Sequence, residues 1–434
     1  MSVLVLGSGG REHALALALA RDPAVAAVHV APGNPGTWAM TPDRGLTARL
    51  AGLDPCNGPA VTALARELGA DLTVVGPEAP LVAGVADQLR AGGLACFGPS
   101  AAAARLEGSK SFAKQVMAAA GVPTADFRRC DTLDEVAAAL DQFGPPHVVK
   151  QDGLAAGKGV AVTSDRDEAL AHARDRLPVV VEEYLDGPEV SLFAITDGAT
   201  AVPLPPAQDF KRARDGDQGP NTGGLGAYCP LPWAPAGLVS QTMERVVAPT
   251  LAEMARRGTP FAGLLYVGLA LTARGLRVVE FNARFGDPET AAILPLLDTG
   301  LGTVLLAAAT GRLDRLGPLS WKPGFCVTVV VADRGYPDRP LIGGPIREQT
   351  PVGLIFHPGD QVHVVHAGTA LDAQGGLTAA GGRVLGVVGR GPDLAQARQR
   401  AYAAADRIDF PGGRCRRDIA QRAAEGLIPP VERL

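Results

Sequence analysis

No two of the six cysteines (56, 96, 130, 229, 326 and 415) lie closer than 34 positions, and no CxxC pair occurs. That spacing indicates neither a zinc ribbon nor a disulfide scaffold. No uninterrupted apolar stretch reaches the ~18 residues of a membrane span. The N-terminus "MSVLVLGSGGREHALALALA" has no basic leader, and Arg11, Glu12 and His13 interrupt its apolar run, so no signal peptide is expected. Long basic runs are also missing. Arg128–Arg129 and Arg414–Arg417 are short clusters on a chain of net charge −4, which reads as solvated surface rather than a nucleic-acid patch. A reduced, cytoplasmic protein with no membrane or nucleic-acid partner is the expectation, and a monomer is the expected state.

Lysine is the scarcest charge: six residues against 35 arginines in 434 positions. Five of the six (110, 114, 150, 158 and 211) fall within residues 110–211, and two of those bracket the run "KQDGLAAGKGVAV" at 150–162. Glycines at 153, 157 and 159 would let backbone N–H groups approach an anion. Lysine supplies a compact, mobile charge suited to phosphate. The run reads as a strand–loop–strand phosphate lid or as a tight hairpin with incidental lysines, and the lysine distribution favours the lid. A Walker A loop is excluded, because Gly153 is followed by only three residues before Gly157-Lys158 and Gly159 follows. A dinucleotide fingerprint is excluded too: residues 7–12 read "GSGGRE", with Glu12 where the third glycine belongs.

The length predicts two to four domains. Over residues 1–105, buried strands ("SVLVLG", "VAAVHVA", "DLTVVG", "LACFGPS") alternate with helical segments such as "AVTALARELG" and "LVAGVADQLRAG". Such a βαβ series predicts an open parallel sheet. Residues 106–323 mix helices and strands and include a long polar loop at 207–228. Residues 324–434 read as a small, strand-rich domain. "VHVVHAG" reads as a strand that sends His363 and His366 to opposite faces, so no zinc site is expected there. In "VVEFNARFGDPET", Glu280 and Asn282 share one strand face. A hard cation takes one or two such oxygens plus substrate phosphates. Arg284 is then available for a carboxylate substrate.

Together, "GSGGREHAL", "GPEAPLVAG", "LEGSKSFAK", "KQDGLAAGKGV", "AQDFKR", "DGDQGPNTGGLGAY" and "EFNARFGDPET" resemble the ATP-grasp superfamily. Within it they resemble the phosphoribosylamine–glycine ligase family. The resemblance runs from residue 7 to residue 290, and the final hundred residues fit only in length and strand content. It implies a central ATP-grasp fold of two α+β subdomains clamping ATP, with a lid at about 124–190. It also implies ligation of glycine to 5-phosphoribosylamine through glycyl phosphate, with ADP and phosphate released, in purine synthesis, and use of Mg²⁺ or Mn²⁺.

By the same resemblance, Lys110, Lys150 and Lys158 would meet ATP phosphates, with Gly157 and Gly159 in the lid. Glu182, Leu185 and Glu189 would hold adenosine, and Glu280 and Asn282 the metal. Arg284 and Asp209 would meet glycine, and Lys158, Asp209 and Arg284 would carry the chemistry. Gly9, Gly10, Arg11, Glu12, Asn34, Gly36 and Glu78 would line the ribosylamine site. The chain departs from the family pattern at Gln151, Phe210, Leu225 and Ala291, and Phe210 stands where histidine is usual. Two rival readings are another ATP-grasp ligase and a non-catalytic nucleotide-binding module. The set Lys150, Lys158, Glu280 and Asn282 argues against the second.

Overall fold

A computed structural model of the chain describes residues 1–40, 52–155, 159–348, 361–429 and 431. Gly157 and Lys158 lie outside the described residues. The N-terminal sheet holds β1 (Ser2–Gly7), β2 (Ala27–Pro32), β3 (Leu72–Val75) and β4 (Cys96–Phe97), all parallel, in the order β2-β1-β3-β4. Val3, Leu4, Val5 and Leu6 are completely buried, because helices cover both faces of a parallel sheet. The carboxyl ends of β1 and β3 lead directly into the helices Gly10–Arg21 and Glu78–Val82, which deliver Arg11 and Glu78 to one edge of the domain. "LVAGVADQLRAG" is not one helix. Gly84 adopts φ +82°, and the chain breaks there into Glu78–Val82 and Val85–Ala91.

The helices Ala101–Gly108 and Lys110–Ala119 lead into a second, antiparallel sheet. It comprises β5 (Phe127–Cys130), β6 (His147–Gln151), β7 (Val160–Thr163) and β8 (Val179–Glu182), in the order β5-β8-β6-β7. Helices Leu133–Phe143 and Arg166–Arg174 supply Val136, Ala139, Leu140, Ala169 and Ala173 to a small core of its own beneath this sheet. A separate core makes it a subdomain attached to the rest.

The chain then builds β9 (Glu189–Asp197), β10 (Ala201–Pro203), β11 (Gln208–Asp209), β12 (Arg212–Arg214), β13 (Gln218–Asn221), β14 (Gly226–Cys229), β15 (Ala262–Thr272), β16 (Gly275–Asn282) and β17 (Phe325–Asp333). A four-stranded antiparallel sheet runs β10-β9-β15-β16. The polar stretch 207–228, expected as a loop, holds four short strands instead. β12 pairs with β13, while β11 and β14 extend the C-terminal sheet next to β17. Strands of two to four residues, mostly polar, carry no readable alternation. Beyond β17 that sheet continues through the strands Arg383–Gly391 and Val362–His366. Among the described residues, no helix is long and apolar enough to cross a membrane.

Candidate active site

A cleft of 1320 Å³ opens between the lid sheet β5–β8, the β9-β15-β16 sheet and the edge of the N-terminal domain. Lys150, near the end of β6, reaches across it. Its Nζ donates to Glu182 Oε2 at 2.9 Å and to the carbonyl of Val279 at 2.9 Å. The same Glu182 oxygen lies 3.2 Å from Nζ of Lys114, which also donates to Thr124 Oγ1 at 2.9 Å and to the carbonyl of Ala125. A lysine has three donors. Among the described residues, those of Lys114 all have protein partners, whereas Lys150 has two engaged. Burial pushes the Lys114 ammonium down to about 8, with Lys150 adding repulsion and Glu182 opposing both. Glu182, expected at adenosine, directs its carboxylate to this lysine pair.

Lys110 sits at the first turn of the helix Lys110–Ala119 and lines the same cleft. Asp152 explains the acid inside the lysine-bracketed run. It accepts from Ser109 Oγ at 3.0 Å, from the Ser111 N–H at 3.2 Å and from Ser111 Oγ. Burial alone would raise its carboxyl, but the Ser111 and Ser109 bonds outweigh that and lower it. The stem of the lid hairpin is thereby tied to the N-terminus of the helix that carries Lys110. Gly159 closes the stem, its carbonyl accepting from Gln151 N–H at 2.7 Å. Leu185 and Glu189 line the cleft beyond β8, and Glu189 pairs with Lys211 at 2.7 Å.

Glu280 and Asn282 project from β16 opposite Gly268 and Tyr266 of β15, next to a bulge in that pairing. Gly268 leaves Glu280 room, since a Cβ there would come within 3.2 Å of Glu280 Cγ and push it by a few tenths of an ångström. Burial pushes the Glu280 carboxyl up, but Lys211, Lys110, Lys150 and Arg284 together hold it down at about 2. It is therefore fully ionised. Among the described residues no three His, Cys, Asp or Glu side chains gather as a metal cage. Two oxygen donors on one strand face, with room for phosphates, fit a hard divalent cation.

Beside them lies an acid cluster. Asp209 on β11 is pushed up to about 8, first by burial and then by Glu289, Glu189 and Glu280, against the pull of Lys211. Glu289, buried at the start of the helix Glu289–Ile293, accepts from Ser191 Oγ at 3.2 Å, and Ser191 Oγ lies 2.8 Å from the Tyr266 hydroxyl.

Arg284 is gripped from two sides. Its Nη2 lies 3.0 Å from Glu107 Oε1, its Nε 3.2 Å from Glu78 Oε2, and its Nη1 donates to the carbonyl of Phe285. Arg11 donates to the same carbonyl at 3.1 Å, and its Nη2 lies 3.7 Å from Glu78 Oε2. Glu78 thus stands between the arginine expected at the ribosylamine and the one expected at glycine.

The other residues expected at the ribosylamine lie behind the cleft wall. Glu12 accepts from Gly9 N–H at 2.6 Å and from Arg11 Nε at 2.7 Å. It fills a crevice where a Cβ on Gly76 would come within 2.2 Å. Asn34 donates to the carbonyls of Ser8 and His366, and Gly36 allows His13 and His366 to pack against its Cα. Gly10 borders a water-sized hollow with Thr328 and Asp287.

Sequence reasoning missed Glu107, Lys114, Lys211 and Glu289 as site residues. Lys114 and Lys211 belong to the dense lysine segment, and Lys114 lies one helical turn from Lys110, which was the available signal.

The arrangement has matching relatives. Residues 1–107 match the N domain of phosphoribosylglycinamide synthetase, residues 108–290 its ATP-grasp (A) domain and residues 326–422 its C domain. The chain is 58% identical to a phosphoribosylamine–glycine ligase of Streptomyces coelicolor, covering 98% of this chain and all of that one. It is 54% identical to that of Mycobacterium tuberculosis over 99% of this chain and the whole relative. The crystal structure of the Thermotoga maritima phosphoribosylamine–glycine ligase superposes with a TM-score of 0.80 at 34% identity, over 97% of this chain and all of the other. A biotin carboxylase domain from Hydrogenobacter thermophilus shares the fold, with a TM-score of 0.68 at 17% identity over 95% of this chain and 91% of that one. With every domain matched in order and full-length relatives above half identity, the chain belongs to the phosphoribosylglycinamide synthetase family of ATP-grasp ligases.

Proposed function

We propose that this cleft joins glycine to 5-phosphoribosylamine with ATP, giving glycinamide ribonucleotide, ADP and phosphate. The observation that carries the residue roles is the convergence of Lys110, Lys150, Lys211 and Arg284 around the Glu280–Asn282 pair. The glycine carboxylate, ionised at neutral pH, attacks the γ-phosphorus, the bond to ADP breaks, and glycyl phosphate forms. The amine of the ribosylamine then attacks the carbonyl carbon, and phosphate leaves with the bonding electrons.

Lys110 and Lys150 take the role of phosphate ligands, with Gly157, Lys158 and Gly159 as the lid. Each Nη of Arg284 carries a second N–H, so its outer edge can hold the glycine carboxylate by two bonds. Asp209 accepts the proton that the attacking amine gives up. Leu185, Glu189 and the backbone at Glu182 serve adenosine. Arg11 and Glu78 serve the ribosylamine, and Gly9, Gly10, Glu12, Asn34 and Gly36 support them from behind. A divalent metal ion, Mg²⁺ or Mn²⁺, held by Glu280 and Asn282 would neutralise charge on the transferring phosphoryl group. The reading assigns residues 1–105 to an amine-substrate domain, 106–323 to the ATP-grasp domain and 324–434 to the C-terminal domain. It takes the protein as a cytoplasmic monomer without nucleic-acid or membrane partners.

The test is ADP release with glycine and phosphoribosylamine supplied singly and together. Turnover requiring both is expected. Turnover with an unrelated carboxylate in place of glycine, or AMP as a product, would sink the reading.

A further inference from the structure

We infer that Glu107 is the positioning residue that aims Arg284 at glycine. This rests on the reading of Arg284 as the glycine-carboxylate ligand. Glu107 lies in the last turn of the helix Ala101–Gly108 and is 4% exposed. One carboxylate holds two consecutive residues by different groups. Oε2 accepts from the backbone N–H of Ala283 at 2.8 Å, and Oε1 pairs with Arg284 Nη2 at 3.0 Å. Both the start of the Arg284 side chain and its guanidinium tip are therefore referenced to one rigid helix.

The partner acid, Glu78, comes from the N-terminal domain, is 28% exposed on its side chain and also faces Arg11. Among the groups that favour the charged guanidinium of Arg284, Glu107 ranks ahead of Glu78. Without Glu107, Arg284 keeps Glu78 as its near acid and turns towards the ribosylamine side of the cleft. Three residues after Glu107 comes Lys110, whose Nζ lies 3.4 Å from the Glu107 carbonyl. One short segment thus sets the glycine anchor and a phosphate lysine in fixed register. Positioning of this kind controls reactivity, since small misplacements of a bound reactant are costly in rate.

Glu107→Gln preserves shape and an acceptor for Ala283, but sets an amide against the guanidinium. Its KM for glycine is expected to rise at least about tenfold, the usual scale for losing a charge-assisted bond. KM for ATP should stay within about threefold. Glu107→Asp, which keeps the charge, should recover part of the loss. A role acting through Arg284 is also non-additive. In an Arg284→Met background, Glu107→Gln should raise glycine KM by less than about twofold more.

Steady-state kinetics with each substrate varied, and melting curves to confirm folding, decide the matter. If Arg284→Met leaves glycine KM unchanged, the reading of Arg284 fails and the inference with it. If Arg284→Met raises glycine KM but folded Glu107→Gln does not, Glu107 is structural and the inference alone is overturned. Equal rises in glycine and ATP KM, or full additivity in the double variant, also overturn it.

Discussion

Lys114 and Lys150 meet on a single oxygen, Oε2 of Glu182, at 3.2 and 2.9 Å. Two cations on one anion leave the group with surplus positive charge, which suits a site that receives triphosphate. Lys114 is 2% exposed and cannot reach the cleft itself.

Its expected role is to share Glu182, so that Lys150 is not wholly drawn into that pair. Lys114→Met should therefore raise KM for ATP about tenfold, ~1.4 kcal/mol. The folded state holds the Lys114 proton less tightly, at about 8, than an ordinary lysine near 10.5. The unfolded chain then binds more protons between those values, and stability from this group rises with pH across that window. At neutral pH the buried ammonium is a cost, so the methionine variant should melt within a few degrees of the parent. A large drop in Tm with unchanged ATP KM would make Lys114 a packing residue.

A second relationship crosses the seam between the first helix and the C-terminal sheet. The His366 N–H donates to Nδ1 of His13 at 2.8 Å, and the two rings lie 5.7 Å apart. Burial lowers the His13 pKa well below 6.5, with His366 and His363 adding repulsion. As pH falls below ~6.5 the unfolded chain gains a proton that the folded chain refuses, so stability falls. His13→Gln offers an oxygen acceptor and does not titrate. Its Tm should fall less steeply between pH 7 and pH 5 than that of the parent. Parallel Tm curves for the two proteins would place the acid sensitivity elsewhere.

The parts of this fold that were legible are those whose pattern is local. β1 reads as a buried strand because its short apolar run, rich in valine and closed by Gly7, fits a strand covered on both faces. Glu280 and Asn282 read as one face because a strand alternates, and both line the cleft. The lysine-bracketed run was legible because lysine is scarce elsewhere. What failed was non-local. β11 and β14 find their place only against β17, about a hundred residues later. Glu107 meets Ala283 and Arg284 across 176 positions or more, and although it sits in "LEGSKSFAK", no local pattern announces that contact. The family resemblance alone places Glu12 and Asn34 at the ribosylamine site. Their side chains are instead taken up by Gly9 N–H and Arg11 for Glu12, and by Thr37 N–H and the distant carbonyls of Ser8 and His366 for Asn34.

Phe210, where the resemblance implies a histidine, packs between Arg416 and Tyr228. The Arg416 guanidinium sits 5.0 Å from its ring centroid, and the Tyr228 ring 6.2 Å away. Arg416 is completely buried and held by Asp217 and Asp418, so the cation is fixed. A phenylalanine face suits a guanidinium. A histidine in that place would face a permanent positive charge and stay neutral. Phe210→His should therefore change kcat by less than about tenfold, ~1.4 kcal/mol. A gain of a hundredfold or more would show that position 210 handles a proton.

Asp209 links the chemistry to stability. Half-buried beside Glu289, Glu189 and Glu280, its carboxyl is pushed up to about 8 despite Lys211. A base whose pKa lies near the working pH is well placed to take the amine's proton. The rate at low ribosylamine should therefore rise as pH approaches 8 and level off above it. Asp209→Asn should lower kcat by ~10²–10⁴ and remove that limb. The sign for stability is opposite. An acid whose folded pKa is raised from 3.8 to about 8 holds its proton in the folded state where the unfolded chain has lost it. Stability from this group is complete below pH ~4 and is lost as pH rises to ~8. Asp209→Asn cannot ionise, so it should melt above the parent at pH 8 and converge with it near pH 4. Measured together, pH–rate profiles and melting curves separate the possibilities. A slow, stabilised variant with a flat profile identifies Asp209 as the proton acceptor. A stabilised variant that keeps the parent's rate and pH limb would mean that the departing phosphate takes the proton unaided.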